Sequence, residues 1–83
     1  MRARVLPFPA TRRCAFIRRH AARMATLPAP TAEKHLAHQL RVQMSVMERR
    51  GIAPDLIIAQ LNALETAVRC ELRRQLVLQG GAA

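Results

Sequence analysis

Aromatic side chains are almost missing: Phe8 and Phe16 are the only two in 83 residues, and there is no Trp or Tyr. Any core must therefore come from Leu, Ile, Val, Met and Ala, and the stacked-base platforms of single-strand nucleic-acid binders are excluded. Ser45 is the only serine, no Gly-rich loop opens a helix, and neither GxSxG nor HExxH occurs. Nucleophilic and phosphate-cradling motifs are thereby removed. The five acids are dispersed and form no pair with a division of acid and base labour. Cys14 and Cys70 lie 56 residues apart, without CxxC or Cys-His metal spacing, which predicts free thiols in a reduced, cytoplasmic setting. The longest apolar run, Leu56 to Ala59, is four residues, far short of the ~18 a membrane span needs. The expectation is one small domain that is not an enzyme, carries no cofactor and has no membrane span.

Basic residues, by contrast, are abundant. Fourteen against five acids leave a net charge of +9, and thirteen of the fourteen are Arg, Lys34 being the only lysine. Guanidinium forks match phosphate and carboxylate geometry, so the excess suggests an anionic partner. Fifteen Ala beside thirteen Arg is also what codon bias produces, and charge by itself speaks to solubility and association rather than fold. Residues 1–32 hold seven Arg and no acid. Thr11-Arg12-Arg13 resembles the start of a twin-arginine export signal, but the charged run from Arg18 to Arg23 stands where an apolar segment would have to follow.

Along the chain, Pro7 and Pro9 around Phe8 hold residues 1–10 extended, as a flexible arm. Residues 11–83 read as a single small helical domain. Thr11 is the candidate N-cap of a first helix over about 12–26. Its apolar arc is Cys14, Ile17, Ala21, Met24 and Ala25, with Phe16 and His20 falling among the arginines of the opposite arc. A Pro28/Pro30 breaker follows. Thr31 is the candidate cap of a second helix over about 32–50, with Glu33 in its first turn and Gly51 as its stop. Pro54 and Asp55 open a third helix over about 54–79. The stripes Leu36/Leu40/Met44/Met47 and Ile57/Leu61/Leu64/Val68 predict an antiparallel helical hairpin, so the fold class is all-α: a hairpin, a basic N-terminal helix and an extended arm. The last two turns of the third helix, with Leu72, Leu76, Val77 and Leu78, run past the second helix and call for a cover, from the first helix or from a second copy. A core this small rarely supplies more than ~3–5 kcal/mol unaided, which favours a homo-oligomer.

His35 and His38 are spaced to meet one metal ion but have no dedicated third ligand, so they read as solvated, like His20. Cys14 reads as a small residue of the buried arc.

The segments LPFPATRRCAFIRR, AEKHLAHQLRVQ, RRGIAPDLI and LETAVRCELRRQL together resemble a family of small bacterial proteins of unknown function, in the same order over nearly the whole chain. The resemblance implies a bacterial cytoplasmic protein of helical build and supplies no activity, cofactor or catalytic residue.

The functional expectation is a small interaction protein. Arg12, Arg13, Arg18, Arg19 and Arg23 serve an acidic partner, and Leu61, Leu64, Val68 and Leu72 serve self-association. The alternative is a nonspecific nucleic-acid-binding accessory protein that sets the same arginines on phosphates.

Overall fold

The computed structural model describes residues 10–80; the expected arm over residues 1–10 lies outside the described residues except for Ala10, which opens the first helix rather than ending an extended arm. Three helices make up the chain there: α1 (Ala10–Ala25), α2 (Ala29–Arg49) and α3 (Pro54–Gly80). No strand occurs among the described residues.

The connections follow from local chemistry. α1 closes as Thr26 N–H and Leu27 N–H donate to the carbonyls of Arg23 and Met24, each at 3.1 Å, and Thr26 Oγ1 donates to Arg23 O at 2.7 Å. Leu27 precedes a proline, which disfavours further helix. Pro28 is extended, at φ −59° and ψ 150°, and its carbonyl accepts the first bond of α2 from Ala32 N–H at 2.8 Å. α2 thus begins at Ala29, three residues before the position Thr31 suggested. Pro30 sits in its first turn, where the missing N–H would have had no helical acceptor. Glu33 consequently lies beyond the first turn, which holds no acid. Thr11 likewise falls inside α1, which starts at Ala10.

The end of α2 matches the sequence signal. Gly51 adopts φ 77°, its N–H donates to Glu48 O at 3.0 Å, and Ile52 N–H donates to Met47 O at 3.1 Å. These are the paired bonds of a left-handed helix C-terminus, a conformation glycine reaches without a Cβ penalty. Pro54 then opens α3, and Ile57 N–H donates to Ala53 O at 2.9 Å.

The core draws on all three helices: Phe16, Ala21 and Met24 from α1, Ala32 and Leu36 from α2, Leu64 and Val68 from α3. Ile17, Leu27, Leu40 and Leu72 pack against it half-buried, and Met47 and Ile57 are buried near the Gly51 turn. α1 packs on α3 more extensively than α2 does, so the basic helix is an integral wall of the core and not an appendage to a two-helix unit.

Its buried face differs from the one its apolar pattern suggests. Phe16 and His20 are buried, at 3% and 8% exposure, while Cys14 is exposed. The inward arc is centred about 60° toward Phe16 from the Ile17/Ala21/Cys14 direction, counting 100° per residue. Phe16 offers far more apolar surface than Cys14 or Ala25, and a helix touching two neighbours must bury a wide arc.

The principal extents are 52 × 25 × 16 Å and the radius of gyration is 14.3 Å, against about 11–12 Å for a compact domain of this size. At 27 residues α3 is about 40 Å long. Its far end leaves Leu76, Val77 and Leu78 exposed, at 47%, 63% and 67%, and none of the described residues covers them.

Candidate anion-binding cleft

Arg12, Ala15, Phe16 and Arg19 follow the i, i+3, i+4, i+7 spacing of one helical stripe, and Gln43 and Val46 of α2 with its C-cap residue Arg50 follow i, i+3, i+7. These two stripes face each other across a cleft of about 360 Å³. Its floor is apolar, formed by Ala15, Phe16 and Val46, and its rim carries three guanidiniums and one amide. No carboxylate lines it.

Behind the floor sits an imidazole pair. The His20 ring lies 4.5 Å from the Phe16 ring and 5.1 Å from that of His35. A 3.0 Å hydrogen bond joins His20 Nδ1 to His35 Nε2, the tautomers deciding which nitrogen donates. This bond is why His20 can be buried in a helix that otherwise carries solvated cations on that side. Burial, then the charge of Arg19 and the neighbouring His35, pushes the His20 pKa down to about 4. His35 is lowered by burial and by Arg23 and His38. The expectation of solvated histidines thus holds for exposed His38 and is corrected for His20 and His35. Among the described residues no group of three or more His, Cys, Asp or Glu is arranged around a metal position.

The acids are committed elsewhere. Arg69 forks onto Glu33 through Nη1 at 2.7 Å and Nη2 at 2.8 Å, and also donates to Glu65 Oε2 from Nη2 at 3.0 Å and Nε at 3.2 Å. Arg74 donates to both oxygens of Glu71, at 2.8 and 3.1 Å, and Gln75 adds a bond at 3.0 Å. The hydrogen bonds from Arg69 hold the Glu33 carboxyl below its ordinary range, and those from Arg74 and Gln75 take Glu71 down to about 2. Three of the five acids are thereby engaged with arginines of α3. Among the described residues, no arginine of α1 lies within ion-pair distance of a carboxylate.

The five arginines singled out in the sequence do not form one patch. Arg12 and Arg19 enter the cleft, Arg18 lies toward Glu71 and Arg23 toward His35, while Arg13 is half-buried. The four association candidates are also divided. Leu61 and Leu72 are half-buried, but Leu64 and Val68 have 0% exposure inside the chain's own core, so that pair offers no surface to a second copy. Sequence reasoning missed Gln43, Val46 and Arg50 as cleft residues. The Arg12-x2-Ala15-Phe16-x2-Arg19 stripe was the available clue.

The fold and cleft define a small all-helical protein with a basic, apolar-floored groove between its first two helices. A family model described as a family of unknown function, DUF6074, matches residues 1–83, and the chain belongs to that family. No curated protein and no solved structure matches it. No helix among the described residues is long and apolar enough to cross a membrane.

Proposed function

We propose that this is a small non-enzymatic interaction protein of a bacterial cytoplasm. In this reading its α1 arginines bind an acidic protein partner, and an antiparallel α2–α3 hairpin serves as the frame for self-association. The observation that carries the reading is the division of charge: on α3, Arg69 and Arg74 are matched to Glu33, Glu65 and Glu71, leaving Arg73 exposed, whereas α1 holds five arginines with no ion pair among the described residues. Like charges gathered without counter-charge favour an external anion and speed its approach. Support for self-association comes from the uncovered Leu76, Val77 and Leu78, apolar positions whose burial is worth roughly 1.5–3 kcal/mol each.

Fluorescence anisotropy with labelled polyglutamate and a labelled random duplex, each at two salt concentrations, tests the charge reading. Salt-sensitive polyglutamate binding that is lost in the Arg12→Ala/Arg13→Ala/Arg19→Ala variant is expected. Binding of the duplex alone, with a slope near −0.9 per neutralised phosphate, would replace the protein partner by nucleic acid, and binding unchanged in the variant would overturn both. Light scattering tests association: a mass above the 9.3 kDa monomer, reduced by Val77→Asp, is expected, and a strictly monomeric wild type refutes it.

A further inference from the structure

We propose that the α1–α2 cleft is a binding site for a small organic phosphate, with the phosphate held by Arg12 and Arg19 and the apolar body laid on Ala15, Phe16 and Val46. The inference rests on the reading above in one respect, that the α1 arginines are open to an anion; it adds a second, compact ligand and a defined seat.

Size is the first argument. A cleft of about 360 Å³ stands at the small end of ligand pockets, which run from about 300 to 1,000 Å³. It suits a phosphorylated small molecule rather than a helix or a duplex.

Charge is the second. Arg12 and Arg19 are two helical turns apart, about 10.5 Å along the axis, and both line the cleft. Arg50 adds charge at the rim. Two guanidinium forks directed at one anion match the several acceptor oxygens of a phosphate better than the two of a carboxylate.

The third argument is the floor. Phe16 is 3% exposed and braced by His20, itself tied to His35 on α2. The apolar wall is therefore set before any ligand arrives, which reduces the ordering cost of binding. Inorganic phosphate would use the rim and leave the solvent-facing parts of Ala15 and Val46 wet. An ester with an apolar group uses both, and the Gln43 amide can bond to the ester oxygen or a hydroxyl.

The test is calorimetric titration of the full chain with phenyl phosphate, inorganic phosphate and phenol at constant ionic strength. Saturable one-to-one binding of phenyl phosphate is expected, about tenfold or more tighter than inorganic phosphate, with no measurable binding of phenol. Arg19→Ala and Val46→Glu should each weaken it by about tenfold or more, since one removes a charged hydrogen bond and the other places a carboxylate on the wall. Circular dichroism checks that both variants fold, and Gln43→Leu, with its smaller expected loss, stands in should Val46→Glu fail to fold. Arg41→Gln removes the same charge from an exposed position of α2 away from the cleft and should leave affinity within about twofold. Equal affinity for phenyl phosphate and inorganic phosphate, absence of saturation, or an equal loss in Arg41→Gln would each overturn the site. Phenyl phosphate binding without polyglutamate binding would remove only the protein-partner reading; the reverse would remove only the cleft.

Discussion

α1 and α3 are each rich in arginine and pack on one another, yet two of the three arginines on α3 live in circumstances opposite to those on α1, Arg73 being the exception. On α3, Arg69 spans from Glu65 on its own helix to Glu33 on α2, and Arg74 is closed onto Glu71. On α1, Arg12, Arg13, Arg18, Arg19 and Arg23 have no ion pair among the described residues, and the helix is held in place by Phe16, Ala21 and Met24. The net charge therefore says less than its distribution: the paired arginines are structural straps, and the unpaired ones are what an outside anion would meet. α2 is tied to α3 by ion pairs and burial, and α1 is held by burial with the His20–His35 bond joining it to α2.

If that contrast is right, the largest effect should come from the apolar core. Leu64→Ala, at a position with 0% exposure against α1 and α2, should cost about 3 kcal/mol, read from urea unfolding, with the amides of α1 losing protection first. Next is acidity. His20 titrates at about 4 when folded and 6.5 when free, so the unfolded chain binds more protons between those values. Stability should be flat above about pH 7, fall by about 2 kcal/mol between pH 7.5 and pH 5, and continue down through pH 4. A urea midpoint that did not move between pH 7.5 and pH 5 would show that His20 is not held buried and neutral in the folded chain.

Smaller effects should separate the two groups of arginines. Arg69→Ala breaks a forked, multi-carboxylate contact at a position still 40% exposed, so about 1 kcal/mol is expected, reduced in high salt. Smallest is Arg23→Gln, expected within about 0.5 kcal/mol of wild type and on the stabilising side at low salt, because it removes a like charge that repels its neighbours. Thermal melts at two ionic strengths would read both. A loss of about 1 kcal/mol in Arg23→Gln would erase the distinction between straps and open charges.

Helix boundaries signalled by backbone chemistry were legible in the sequence. Gly51 and Pro54 act through φ and a missing donor, which are properties of the residues themselves. The stripe Ile57, Leu64, Val68 was also visible, because apolar repeats on a long helix are buried by whatever packs there. What escaped was set by tertiary partners. His20 among arginines reads as solvated until His35, fifteen positions away, arrives at 3.0 Å. Glu33 reads as a first-turn acid until Arg69, thirty-six positions on, takes it. The cleft failed to appear for a related reason: half of it, Gln43, Val46 and Arg50, comes from a helix whose rotation about its axis no local pattern fixes. Thr31 misled because two prolines before it looked like a breaker, when one of them belonged to the first turn.

One consequence of the long third helix concerns time rather than energy. α3 is continuous from Pro54 to Gly80, but it is clasped at Ile57, Leu64 and Val68 and left exposed at Leu76 to Leu78. Amide hydrogens near the clasp can exchange with solvent only when the whole fold opens, and those of the last two turns can exchange by fraying inward from the end. A single uninterrupted helix should therefore keep two clocks, slow at its centre and fast at its tip, and whatever molecule comes to cover the tip would announce itself by slowing the second.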